Sequence, residues 1–396
     1  MLIAQYFAII ALAFLAVQLV TPVVIALAYR VGGVDLPGGR KTHAGVIPRI
    51  GGVAIVVATT FSLAPGLLVP NVLPAIARNL GFLAVLLWGG GMAFLLGLYD
   101  DLKGTNAKWK FAVQIVAALI AYSFRFRFDA IGLPFVGIVH LPQYLSLPIT
   151  ILWIVGVVNA INLIDGLDGL AAGLALIICA TVGSIGFFRG DVLSTLLCCA
   201  LAGALAGFLR HNWNPARIFM GDSGSMFIGF VLALLALRSS VKGPTAVAIV
   251  LPILALGVPV IDTLFVMWLR FWQAGNSGLT ERIARMFRAD RNHLHHLLLE
   301  RLRGHHRGAV AVIYALATLF AAGAFWVAHS NNSTQGFLLL VCGLVGVAFV
   351  RWAASRDRFR VNGRQEDEES ESAEIRRAPL SPSGRMAAGQ DGGRTR

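Results

Sequence analysis

Five aspartates stand in three short polar interruptions of an otherwise apolar chain. Asp100 and Asp101 lie in GLYDDLKG, Asp165 and Asp168 in NAINLIDGLDGL, and Asp222 in FMGDSGS. In the second motif Asn159, Asn162, Asp165 and Asp168 recur every third residue, so neighbours share a face if the stretch is helical. Gly166 and Gly169 loosen the backbone where the acids begin. Adjacent carboxylates repel, so Asp100 and Asp101 call for a cation between them or basic partners, and Lys103 and Lys108 are at hand for the second option. An oxygen-rich set without nearby cysteine favours a hard ion, Mg2+ first and Mn2+ second, over zinc. His293, His295 and His296 form HLHH among Arg282, Arg285, Arg288, Arg291, Arg301 and Arg303, a positive field suited to an anionic ligand rather than a second metal. Basic groups beside a magnesium site point to diphosphate chemistry. Taken singly, the Asp100–Asp101 pair or Asp222 reads as no more than a charged helix end. Asp262, in GVPVIDTLF, reads as a structural partner for an Asn or Arg and stays outside the catalytic set.

The elements that must position these groups are membrane helices. Of 396 residues, 57% are hydrophobic and 13% charged, with a mean hydropathy of +0.74, too apolar for a water-soluble domain. Apolar runs long enough to cross a bilayer fall at 3–28, 50–69, 81–98, 109–124, 147–164, 169–188, 192–209, 224–238, 245–269, 309–329 and 335–352, giving an all-α, polytopic integral membrane protein with about 11 transmembrane helices. The run 224–238 is short and needs the glycines before it to span. The first run has no cleavage signature and reads as a retained span.

Lys and Arg gather on one side of these spans, at Arg30–Arg49, Lys103–Lys110, Arg210–Arg217, Arg270–Arg307 and from Arg351 onward. The other side holds only Arg78, Arg125, Arg127, Arg189, Arg238 and Lys242. The N-terminus is therefore expected outside and the C-terminus in the cytoplasm, which puts every candidate acid and histidine at the inner boundary. The net charge of +13 reads as topology and not as nucleic-acid binding, because no recognition element accompanies it. Arg125–Ser146 alternates like a small surface hairpin. Residues 1–352 form one transmembrane domain, and 353–396 read as a disordered charged tail with an attraction to anionic lipid. Cys179, Cys198, Cys199 and Cys342 lie inside apolar runs and read as small apolar residues.

These motifs, in this order, resemble the polyprenyl-phosphate N-acetylhexosamine-1-phosphate transferases: YDD at Tyr99–Asp101, NAINLIDGLDGL at Asn159–Leu170, FMGDSGS at Phe219–Ser225 and HLHH at His293–His296. RKTHAGVIPRIGG at Arg40–Gly52 is similar to the family's N-terminal cytoplasmic loop. The resemblance covers roughly residues 35–310. It implies a bacterial inner-membrane enzyme whose site faces the cytoplasm. A UDP-N-acetylhexosamine and undecaprenyl phosphate would react there, with Mg2+, to release UMP and leave a lipid-diphosphate sugar that initiates an envelope polysaccharide such as O-antigen.

By the same resemblance Asp222 is the first choice as metal ligand, with Asp101 or Asp100 next, and Asp100 is also a candidate proton acceptor. Asp165 and Asp168 shape the nucleotide and metal site, with Asn162 holding them. Phe219 and Asn212 resemble uracil contacts. Arg291, His293, His295 and His296 would hold the diphosphate or the sugar, and Lys110 would assist the lipid phosphate. Leu294 interrupts the three consecutive histidines usual in the muramoyl-pentapeptide branch, so HLHH looks more like the N-acetylglucosamine-1-phosphate branch. Other readings are the muramoyl-pentapeptide transferase itself, a cation-coupled transporter and a non-catalytic scaffold. A second copy of the chain is a candidate partner.

Overall fold

The computed structural model describes residues 2–36, 45–68, 72–133, 136–241, 250–273, 278–286, 292–330, 332 and 334–355. Arg291, most of the 353–396 tail and the start of the RKTHAGVIPRIGG segment lie outside the described residues. Helices dominate: α1 (Leu2–Val31), α2 (Gly52–Leu63), α3 (Val72–Arg78), α4 (Leu80–Val85), α5 (Gly91–Lys103), α6 (Ala107–Ser123), α7 (Gln143–Ile164), α8 (Leu170–Phe188), α9 (Val192–Asn212), α10 (Gly221–Val241), α11 (Val250–Ala255), α12 (Gly257–Trp272), α13 (Leu279–Met286), α14 (Leu294–Arg301), α15 (His306–Ser330) and α16 (Thr334–Ser355). A π-helical stretch, Leu86–Gly90, joins α4 to α5. Two antiparallel ladders interrupt the helices. One pairs β1 (Val34–Asp35) with β2 (Ile47–Pro48). The other pairs β3 (Ala130–Leu133) with β4 (Gly137–His140), running from Ala130↔His140 to Leu133↔Gly137, within the stretch expected to form a hairpin.

Among the described residues, eight helices are long and apolar enough to cross a bilayer: α1, the continuous Leu80–Lys103, α7, α8, α9, α10, α15 and α16. Three of the expected spans behave differently. The run 50–69 contains a helix of only 12 residues, α2, which gives way at Ala64 to the 3-10 turn Pro65–Leu68. The run 109–124 is a helix of 17 residues, α6, about 26 Å long at 1.5 Å per residue and short of a hydrocarbon core of about 30 Å. The run 245–269 is broken at Leu256 between α11 and α12, where Gly257 and Pro259 leave gaps in helix propensity and hydrogen bonding. The chain is a polytopic, helical membrane protein.

Helix α10 is the axis of the bundle. It is buried without a break from Ser223 to Arg238 and packs on α5, α7, α2 and α8, as a helix apolar on all sides must. The contact with α5 is close enough to exclude a side chain: a Cβ on Gly97 would meet the Asp222 carbonyl oxygen at 2.3 Å. At the other end of α10, Arg238 forms a two-pronged pair with Asp191, Nε to Oδ2 at 2.9 Å and Nη2 to Oδ1 at 3.0 Å. Its guanidinium also lies 4.3 Å from the Phe82 ring centroid. That pair fixes α10 against the start of α9 at the end opposite Asp222.

Candidate active site

The C-terminal ends of α5 and α7 meet the N-terminal ends of α8 and α10, and α6 supplies Lys110 from its first turn. All five sequence-identified aspartates come to this junction, which joins segments more than a hundred residues apart. Helix N-termini carry positive partial charge and unpaired N–H groups, so the junction suits anions.

Asp222 opens α10. Its Oδ1 accepts from Asn162 Nδ2 at 3.0 Å, and its Oδ2 lies 2.5 Å from Lys110 Nζ. Asn162 also donates to Ser225 Oγ at 2.9 Å, so α7 grips the first turn of α10 twice. Lys110 Nζ reaches Asp100 Oδ2 at 2.8 Å. Asp100 and Asp222 therefore share one ammonium, each with its side chain partly open to solvent.

Asp101 is used otherwise. It is 3% exposed, and its two oxygens accept the backbone N–H groups of Asp222 (2.9 Å) and Ser223 (3.0 Å). It caps α10, satisfying two of the four N–H groups that a helix start leaves open. Of the two adjacent aspartates it is Asp100 that faces the shared ammonium, while both oxygens of Asp101, expected as a metal ligand, accept backbone N–H groups. Arg49, to which the sequence assigned no role, donates to the Asp101 carbonyl at 2.7 Å and the Asp100 carbonyl at 3.3 Å and so covers the end of α5.

Asp168 and Asn212 are likewise committed to scaffolding. Asp168 Oδ2 accepts from Asn214 Nδ2 at 2.9 Å and from the Ala216 N–H at 3.0 Å, which folds the loop between α9 and α10 back onto the start of α8. Asn212 is buried, accepts from the Gly169 N–H at 3.0 Å and donates to the Ile218 carbonyl at 2.9 Å. Asn212, expected as a uracil contact, braces the loop from within by these two bonds. Phe219 is half-buried on the same loop. Its N–H donates to the Pro48 carbonyl at 2.8 Å, and its carbonyl accepts from the Gly51 N–H at 3.0 Å.

Asp165 caps the C-terminal end of α7, within the electrostatic reach of Asp222, Asp101 and Asp168. Its enclosure, reinforced by the charges of Asp222, Asp101 and Asp168, pushes its pKa well above the usual carboxylate range.

The histidine motif abuts this turn. A Cβ on Gly166 would meet His295 Nε2 at 2.5 Å, so the glycine is what lets HLHH approach the Asp165–Asp168 turn. His295 is 1% exposed, and burial, then the neighbouring His296, lowers its pKa to about 3, leaving a neutral ring. Its ring centroid lies 6.0 Å from that of His293 and 4.2 Å from that of His296. His293 Nδ1 pairs with Asp262 Oδ2 at 2.9 Å, while Asp262 Oδ1 accepts the Leu294 N–H at 3.0 Å and also contacts Arg351 Nη1. Arg351 in turn donates to the Asn292 carbonyl at 2.6 Å. Asp262 is thus the Arg partner the sequence suggested. It also orients the first histidine of the motif, a role the sequence reading missed. The available signal was an ionisable group inside an apolar span, which is costly unless it is used.

Whether these residues suit a metal is decided by their donors. Asp100 and Asp222 converge on one cationic point through Lys110. Two carboxylates at a partly open position fit Mg2+, which takes one or two carboxylates and completes its shell with water and substrate phosphates.

The glycosyl transferase family 4 model matches residues 83–240. The chain is 36% identical over 328 residues to the probable undecaprenyl-phosphate N-acetylglucosaminyl 1-phosphate transferase of Bacillus subtilis (strain 168), covering 83% of this chain and 86% of the relative. It is 37% identical over 326 residues to the decaprenyl-phosphate N-acetylglucosaminephosphotransferase of Mycolicibacterium smegmatis, covering 75% and 76%. To a phospho-N-acetylmuramoyl-pentapeptide-transferase of Chlamydia trachomatis it is 39% identical over 211 residues, covering 48% and 60%.

Proposed function

Because this chain belongs to glycosyl transferase family 4, among the polyprenyl-phosphate N-acetylhexosamine-1-phosphate transferases, we propose that it transfers N-acetylglucosamine 1-phosphate from UDP-N-acetylglucosamine to undecaprenyl phosphate. A phosphate oxygen of the lipid forms a bond to the sugar-linked phosphorus, and the bond from that phosphorus to the UMP oxygen breaks with its electron pair. UMP leaves and the lipid-diphosphate sugar stays in the membrane, ready to initiate an envelope polysaccharide. The observation that carries this reading is the convergence of Asp100 and Asp222 on one cationic point at the helix junction.

In this reading Asp222 and Asp100 hold Mg2+, which when bound neutralises phosphate charge and polarises the P–O bonds. Asn162 aims Asp222, and Asp101 fixes the turn that carries it. Asp165 adds a carboxyl group beside the metal pair, and Asp168 holds the loop bearing Phe219 against the nucleotide. His295 and His296 offer neutral, polar ring edges to the sugar or diphosphate, with Arg291 as a further cation. The lipid phosphate's second pKa is about 6 by analogy with other monoesters, so little base strength is asked of Asp100. We read eleven crossings with the N-terminus outside and the site facing the cytoplasm of a bacterial inner membrane, on the distribution of Lys and Arg.

The coverage of the relatives favours N-acetylglucosamine over muramoyl-pentapeptide, since the match to the latter extends over less than half of this chain. A transporter would place its acids near the midplane, whereas these gather at helix ends. The test is an assay of the purified protein with undecaprenyl phosphate, Mg2+ and a panel of UDP-sugars. UMP should appear with UDP-N-acetylglucosamine only when lipid and metal are both present, and Asp222→Asn should lower turnover by about two orders of magnitude or more. UMP release without the lipid, or near-normal turnover in the variant, would overturn it.

A further inference from the structure

Asp100 and Asp222 have one cationic side-chain partner among the described residues, the Lys110 ammonium, at 2.8 and 2.5 Å. The other nearby donors are committed elsewhere. Arg49 serves the carbonyls of Asp100 and Asp101, not their carboxylates. Asn162, which takes the second oxygen of Asp222, is neutral. Asp101 is tied to the backbone of α10.

A divalent ion bound by the same two carboxylates, with oxygens at about 2.1 Å, would stand within a few ångströms of Nζ if the lysine stayed in place. Two cations at that separation repel. Resting on the metal assignment above, we propose that Lys110 is a built-in counter-ion which the divalent ion displaces, and that the released ammonium, still tethered to α6 beside the site, then pairs with the phosphate of the incoming lipid. Before the metal arrives, the lysine keeps the two carboxylates from repelling each other. Afterwards it adds a positive charge that only an anion relieves. Metal and phosphate therefore reinforce each other's binding, and by linkage each raises the other's affinity by the same factor.

The test uses the full-length protein in detergent without UDP-sugar, and Mn2+ as the probe, with free Mn2+ read by electron paramagnetic resonance. Lys110→Gln should tighten Mn2+ binding by about fivefold or more, the scale of a partly exposed ion pair that no longer has to be broken. Lys110→Arg should stay near wild type. Undecaprenyl phosphate should raise the affinity of the wild type and not that of Lys110→Gln, whereas inorganic phosphate and a phosphatidylglycerol micelle serve as arms that separate the prenyl phosphate from phosphate in general. In the wild type, amine-reactive labelling of Lys110, read by mass spectrometry, should increase on adding Mn2+, a measurement that needs no variant to fold. Unchanged or weaker Mn2+ binding in Lys110→Gln, or unchanged labelling under saturating Mn2+, would overturn the displacement. Asp222→Asn separates the two levels: Mn2+ binding that survives this change defeats the metal assignment, while its loss beside an unaltered Lys110→Gln defeats only the exchange.

Discussion

The Asp222 N–H donates to Asp101 Oδ1 at 2.9 Å, so an acid at the end of α5 holds in place the backbone of the acid that opens α10. With the Ser223 N–H on the other oxygen at 3.0 Å, Asp101 acts on the site through Asp222. Of the two adjacent aspartates, one faces the shared cation and the other builds the platform.

Asp101→Ala should therefore cost stability as well as turnover. Loss of a two-bond helix cap is worth about 1–2 kcal/mol, and Asp222 would lose its alignment with Asn162. Thermal unfolding and UMP release measured together check this. A variant as stable as the wild type and yet inactive would show that Asp101 touches metal or substrate directly.

The pair Asp262 and Arg351, 2% and 4% exposed, should behave as one unit. Arg351→Met alone leaves a buried carboxylate short of its counter-charge, a loss of about 3–5 kcal/mol. Adding Asp262→Asn should recover part of that loss while leaving His293 poorly oriented. The double variant is then more stable than the sum of the singles implies and still slow. Strict additivity in a double-mutant cycle would show that the two do not couple.

His295 sets a pH dependence of stability. Its folded pKa of about 3 lies below the ordinary histidine value of 6.5, so between those values the unfolded chain binds the additional proton and stability falls as pH falls. At pH 5 the loss is at most about 2 kcal/mol. Asp165 acts in the opposite sense. Its raised pKa gives stability that is present at low pH and lost as pH rises through its folded value. Melting curves from pH 5 to 8 should show His295→Gln less acid-sensitive than the wild type, and an unchanged slope in that variant would remove His295 as the cause.

Much of the fold was legible because a bilayer imposes a length on apolar helices. The runs 147–164, 169–188 and 192–209 correspond to α7, α8 and α9, and the short run 224–238 reaches full length by drawing in the glycines before it, from Gly221. Hydropathy averaged over a run could not show where a helix stops within it. Pro65 ends the second run, and the break at Leu256 divides the ninth, because backbone hydrogen bonding and not apolarity fails there.

By itself the sequence determined which residue types could do this chemistry and that they lie at the ends of membrane helices: an ionised group in so apolar a chain is too costly to keep unless something uses it. Only the tertiary structure decided the division of labour among chemically identical side chains. Asp100 and Asp222 meet at Lys110, Asp101 and Asp168 bind backbone, Asn212 turns inward, and Asp262 orients His293. The physical reason is that a carboxylate's role depends on which donors reach it, and here those donors come from helices that are neighbours in space and distant along the chain.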